Sequence, residues 1–162
     1  MQQKKKDMIQ RIQTLYLFFA ALLTGSLFFF SLAEMANMQE YYELTWRGIF
    51  RIEQDASETL VIPGIALSIL TIATTAVSFF TIFLFKKRIL QIRLCGLNMG
   101  FLPGLSGLIY YMGKTGAKNL GVTDLSFNLP LILPLIALIL VFLAMRAIGK
   151  DEALVRSIDR IR

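Results

Sequence analysis

The chain contains no histidine and a single cysteine, Cys95, among its 162 residues. Without histidine it lacks the side chain that most often serves as general base and as metal ligand near neutral pH. One cysteine excludes an intramolecular disulfide, and with it the reactive pair that thiol–disulfide exchange requires. Cys95 itself reads as a small buried apolar residue. The most informative scarcity is of charge. Residues 12–33, 60–85, 94–113 and 125–145 contain no Asp, Glu, Lys or Arg, over 22, 26, 20 and 21 positions.

A helix needs about 20 apolar residues to cross a bilayer's hydrocarbon core. The composition agrees, with 56% hydrophobic residues and a mean hydropathy of +0.62, above the usual share for globular proteins. The pattern predicts an all-α membrane protein: a four-transmembrane-helix bundle with spans near 12–33, 63–85, 94–113 and 125–145, forming one domain over 1–162. Lys4-Lys5-Lys6 ahead of an apolar stretch also resembles a signal peptide. That stretch exceeds the usual 7–15 residues of such a signal, so an uncleaved first span is expected.

The basic residues set an orientation. Thirteen of the 17 Lys and Arg lie in the N-terminal segment, the middle connection at 86–93 and the C-terminal tail. The other two loops hold Arg47, Arg51, Lys114 and Lys118. Lys and Arg concentrate on the cytoplasmic side of a membrane, so both termini are expected in the cytoplasm. The net charge of +6 is then a sidedness signal, and no nucleic-acid partner is expected.

No ionisable residue lies inside the four runs, which argues against a proton relay or an ion-coupled carrier. What the runs hold is packing information. Gly96, Gly100 and Gly104 recur every four residues and share one helix face, where small residues let helices approach closely. Thr71, Thr75 and Ser78 offer a matching stripe on the second span. Packing of spans two and three within the chain is the simpler use of these stripes; a dimer interface is the sharper one. Pro103 and Pro134 are expected to kink their helices, and Asn98 is an amide able to bond between helices.

The loop after the first span alternates apolar and polar residues. Tyr42, Leu44, Trp46, Phe50 and Ile52 occupy even positions, Glu43, Thr45, Arg47, Arg51 and Glu53 odd ones. This predicts a small exterior β-hairpin over 41–62, with a turn at 54–58. Its apolar face, including Trp46 and Phe50, is expected to rest on the bundle or on a partner. The acidic residues here match no calcium-loop spacing, and no cofactor or metal is expected. In the tail, Leu154, Ile158 and Ile161 share a face and Arg156 pairs with Glu152 one turn back. This predicts a short amphipathic cytoplasmic helix, with Leu154, Arg156 and Ile158 as a surface for lipid or a partner.

The segments at 8–13 and at 146–162, with Lys150-Asp151-Glu152-Ala153-Leu154-Val155-Arg156-Ser157, resemble an uncharacterised bacterial family of four-span inner-membrane proteins known only as a domain of unknown function. The resemblance implies a bacterial cytoplasmic membrane and brings no activity. The expectation is a non-enzymatic accessory, assembly or scaffold protein, embedded in the lipid bilayer and acting on a membrane partner or as a homo-oligomer. The alternative is a small oligomeric transporter or lipid-handling protein with a cavity lined by Thr71, Thr74, Thr75, Asn98 or Tyr110.

Overall fold

The computed structural model of the chain describes the backbone of residues 2–37, 40–53, 57–85 and 87–159, and side chains between residues 12 and 153 within those stretches. Its elements are α1 (Gln2–Ser26), β1 (Ala33–Ala36), β2 (Tyr41–Thr45), β3 (Gly48–Ile52), β4 (Glu58–Pro63), α2 (Ile65–Phe83), α3 (Arg88–Asn119), β5 (Asp124–Phe127) and α4 (Leu133–Asp159), with a 3-10 turn at Leu129–Leu131.

The all-α expectation is overturned by a five-stranded antiparallel sheet in the order β4-β3-β2-β1-β5. Two of its strands begin within or beside runs assigned to membrane spans. Absence of charge signals burial, but it neither separates helix from strand nor fixes where a helix stops. α1 stops at Ser26, where Thr24 and Ser26 turn their hydroxyls onto the Ala20 and Leu23 carbonyls at 3.0 and 2.7 Å. Amides 27 to 29 then bond three residues back, tightening the exit. The chain re-emerges as β1, and β5 closes beside it with Ala33 opposite Phe127 and Met35 opposite Leu125.

Three helical stretches are long and apolar enough to cross a membrane: Ile65–Phe83, Arg88–Asn119 and Leu129–Ala153. The apolar part of α1 among the described residues, Ile12–Ser26, is shorter. Where four spans were expected, only three helices among the described residues have the length and apolarity to cross, and α1 packs along α4 and α2. At about 1.5 Å per residue the 32 residues of α3 reach about 48 Å, well beyond the roughly 30 Å of a hydrocarbon core. Its excess length carries the sheet.

Three further expectations change. The run from 41 to 53 is two strands, because the chain turns at Trp46-Arg47. Leu44 pairs with Ile49 and Glu43 with Phe50, so Leu44 and Ile49 face inward while Phe50 and Ile52 face outward, against the even-number alternation. Gly48 permits the turn: its φ is +143°, and a Cβ there would lie 2.3 Å from the Ile62 carbonyl oxygen. The tail is helical to Asp159 as expected, but as the unbroken end of α4, which runs from Leu133 through Gly149, and not as an element of its own. Pro134 is the second residue of α4, where its missing N–H disturbs no bond, and it makes no mid-span kink. Pro103 does lie inside a helix, α3.

The interior has two parts. One joins the inner face of the sheet (Ala33, Met35, Tyr42, Leu44, Ile49) to Leu67, Leu105 and Ile109 of the helices. The other lies among the helices toward their opposite end, around Leu17, Cys95, Leu102, Val141 and Ile148.

Candidate functional surfaces

The junction between sheet and helices depends on two glycines of α3 that the four-residue stripe did not single out. A Cβ on Gly116 would lie 2.2 Å from Ile49 Cδ1, and one on Gly113 would lie 2.7 Å from the Phe127 ring. Both are buried. Their three-residue spacing beside Ala117 was visible in the sequence, but the expected span ended at Gly113 and left Gly116 outside it. Phe127 stacks on Tyr110 with centroids 5.3 Å apart, and the Lys114 ammonium sits 5.0 Å from the Tyr110 ring. Trp46 is fastened to the same end: its ring meets Phe28 edge-on at 5.0 Å, and its carbonyl accepts from the Ser68 hydroxyl at 2.9 Å.

Gly96 and Gly100, by contrast, face outward, and a Cβ on either would meet no atom within 4 Å. Gly104 only reaches Leu70, at 4.0 Å. The α2–α3 contact uses another face. There the Asn98 amide donates to Ser78 Oγ at 2.7 Å and Gln91 donates to the Thr81 carbonyl at 3.1 Å. Thr71 and Thr74 are buried with their hydroxyls on their own helix, at 2.8 and 2.6 Å. Thr75 faces α1 instead, near Gly25, and lines a shallow apolar groove with Ala21, Phe28 and Phe79.

The outer face of the sheet concentrates carboxylates. Glu34 and Glu43 stand directly opposite each other on β1 and β2, and the Tyr41 hydroxyl bonds to both. Burial and the two carboxylates push the Tyr41 hydroxyl's pKa up. Burial, with the negative charge of Glu34, raises the Glu43 carboxyl above its ordinary range, and the Tyr41 bond offsets part of this. Asn128 steadies Glu34 with a 2.8 Å bond and also donates to Ser31 Oγ at 3.0 Å. Beneath them, Tyr42 is raised mainly by its bond to Glu40, which in turn pairs with Arg51 at 2.7 Å. Phe50 is half-buried on the outer face.

At the far end of the helices, Arg88 pairs with Asp151 at 2.9 Å, with side-chain exposures of 20% and 4%. The approach is that of an ion pair without hydrogen-bond angles. Leu154, Arg156 and Ile158 belong to α4 by backbone, and their side chains lie outside the described residues. Among the described residues no three His, Cys, Asp or Glu come together as a metal site.

These features define a class: a helical protein with an apolar interior that also takes in polar side chains, many large apolar side chains on its helix surfaces, and an antiparallel sheet across one end. A family model described as a domain of unknown function, DUF4293, matches residues 9–161. The chain belongs to that family. No curated protein matches it.

Proposed function

We propose that the chain is a multi-pass protein of a bacterial cytoplasmic membrane and a non-enzymatic accessory or scaffold subunit that works by holding a membrane partner. The observation that carries the membrane reading is the inverted distribution of side chains. On α2 the inward residues include Thr71, Thr74, Ser78 and Thr81, while Ile65, Ile69, Phe79, Phe80 and Phe83 are 52–68% exposed. α4 repeats this outward display with Ile139 at 60% and Phe142 at 45%. Water penalises such a surface, and large contiguous exposed apolar faces mark protein or membrane contacts; lipid does not penalise it.

The charge distribution supports an orientation with the Arg88–Asp151 end in the cytoplasm and the sheet on the opposite side. The binding role is supported by how the polar groups are used. Asn98, Gln91, Thr71 and Thr74 bond within the helices, and Tyr110 is stacked on Phe127, so these residues hold the fold together.

Gentle solubilisation from the native membrane, followed by mass determination of the intact particle, tests the role. A second polypeptide at fixed stoichiometry is the expected result; a particle made of this chain alone refutes the accessory reading. Orientation is tested by Glu58→Cys and Lys87→Cys with a membrane-impermeant maleimide on intact cells. Cys95 is 1% exposed and contributes little background. Labelling at 58 and not at 87 is expected, and the reverse overturns the orientation.

A further inference from the structure

We propose that the free edge of β4 receives an extended segment of the membrane partner as an added strand, with a basic residue opposite Glu58 and an apolar one opposite Leu60. The inference rests on the accessory reading above. β4 stands at the end of the sheet order, so one side of it has no neighbouring strand. The ladder on its other side shows which groups that leaves open. The Glu53 N–H donates to the Ser57 carbonyl at 3.1 Å, and bonded and non-bonded pairs alternate along an antiparallel ladder. Arg51 and Thr59 are then the next bonded pair, while Glu58 and Leu60, opposite Ile52 and Phe50, belong to non-bonded ones. The N–H and C=O of Glu58 and Leu60 therefore point away from β3, toward the open side. The Gly64 N–H on the Arg47 carbonyl, at 2.8 Å, gives the same phase at the other end once the unpaired Val61 is counted.

An open edge is a template for another strand, and folded proteins usually blunt it with short length, lysine or proline. β5, the opposite edge, is four residues long. β4 has six residues, no lysine, and proline only at its last position. The bulge at Val61 confines the regular stretch to Glu58–Leu60, so the added strand is short. Leu60 and Val61 are 49% and 40% exposed, which makes the edge apolar as well as open. Its neighbours set the chemistry of the occupant. The outward positions of the described strands hold Glu34, Glu43, Glu58 and Asp124 and no Lys or Arg. Arg51 is engaged by Glu40, and the Arg47 guanidinium lies over the Trp46 ring. A residue directly opposite Glu58 on an added strand shares its face, so lysine or arginine fits there, and an apolar residue two positions away meets Leu60. A second copy of β4 would bring another glutamate to this acidic face instead. The level suits a membrane protein. Pro63 and Gly64 lead into Ile65, the first residue of a membrane-crossing helix, so the edge lies where connecting segments of a neighbouring membrane protein emerge.

The full chain in an uncharged detergent is titrated with two synthetic peptides, one alternating lysine and valine, the other glutamate and valine, and amide exchange is followed residue by residue. The lysine peptide is expected to bind and to slow exchange at Glu58 and Leu60, as strand addition requires; the glutamate peptide is not. Leu60→Pro removes an N–H that the β3 ladder does not use, a change that edge strands tolerate, and should weaken binding roughly fivefold or more. Glu58→Lys alters only an exposed side chain, so its result does not hinge on whether Leu60→Pro folds; it should narrow the preference between the peptides roughly fivefold. Lysine-peptide binding that a folded Leu60→Pro leaves intact would mean attraction to a diffuse acidic field and would overturn the proposal. So would binding of neither peptide, or a dimer of this chain that Leu60→Pro splits. Mass determination of the particle from the native membrane separates the edge from the role. A second polypeptide retained by Leu60→Pro overturns the edge alone, whereas its absence from the wild type refutes the accessory reading and this inference with it.

Discussion

Gly116→Ala and Gly100→Ala make the same chemical change on one helix, and the structure assigns them opposite signs. At Gly116 the new methyl would lie 2.2 Å from Ile49 Cδ1 and 3.8 Å from Met35 Sδ, where carbon atoms prefer about 3.5–4.0 Å. Ile49 is fully buried, so its end methyl can retreat only by leaving its rotamer or by pushing β3 outward. Overpacking of this kind costs about 1–3 kcal/mol. Replacing a helical glycine by alanine returns up to about 1 kcal/mol, which leaves a net loss of up to about 2 kcal/mol. At Gly100 no atom is within reach, and only the gain remains. Unfolding of both variants in detergent, followed by near-UV circular dichroism, reads the difference. Ile49→Val removes the clashing methyl, so combining it with Gly116→Ala should be no worse than Ile49→Val alone, itself a loss of about 0.5–1.5 kcal/mol. Equal effects at 116 and 100 would refute the assignment of the junction. A loss confined to Gly100 would mean that the outward glycine face is occupied.

Three other expectations use the same unfolding measurement. Arg88→Met leaves Asp151, with its side chain 4% exposed, without its counter-charge and should cost about 3–5 kcal/mol; adding Asp151→Leu should restore much of it, and a double variant as weak as the single would refute the pairing. Gly48→Ala combines a φ of +143° with a Cβ 2.3 Å from a backbone carbonyl and should cost about 3 kcal/mol, whereas Gly121→Ala, with a φ of +65° and open space, should cost about 1 kcal/mol. Glu43 gives a pH dependence. Its carboxyl pKa is raised in the fold, so its protonated form is favoured there, and that contribution is lost as pH rises from the ordinary carboxylate range through the raised value. Glu43→Gln should therefore match the wild type at acid pH and exceed it at neutral pH; a wild-type advantage at neutral pH would contradict the assignment.

The parts of the fold that were legible in the sequence are those that depend on local composition. The charge-free runs at 60–85 and 94–113 enclose α2 and the middle of α3, because an unbroken apolar stretch of that length has few other uses, although the first of them opens on the end of β4. The period-two pattern near residue 42 correctly announced strands. It misassigned their faces because parity carries through a continuous strand and resets at a turn, and Gly48 marks a turn only once Gly64 and Ile62 are known to press against it. The candidate surfaces divided in the same way. Ser78 and Asn98 were recognisable as polar groups in apolar helices, but their mutual hydrogen bond depends on how α2 and α3 are rotated. Gly96, Gly100 and Gly104 were recognisable as a face, of which Gly96 and Gly100 look outward while Gly104 borders Leu70.

The sequence by itself determined that most of this chain is apolar at lengths suited to a membrane, that its positive charge gathers in three segments, and that histidine and paired-cysteine chemistry are closed to it. These are properties of residues in order, and no folding alters them. Only the tertiary structure decided that β5, nearly ninety residues after β1, completes the same sheet, that Gly113 and Gly116 are the glycines that admit it, and that Arg88 and Asp151 neutralise one another. Each is a meeting of distant segments. Such meetings are set by which surfaces exclude solvent together once the helices have packed, and a linear pattern records the surfaces without recording their partners.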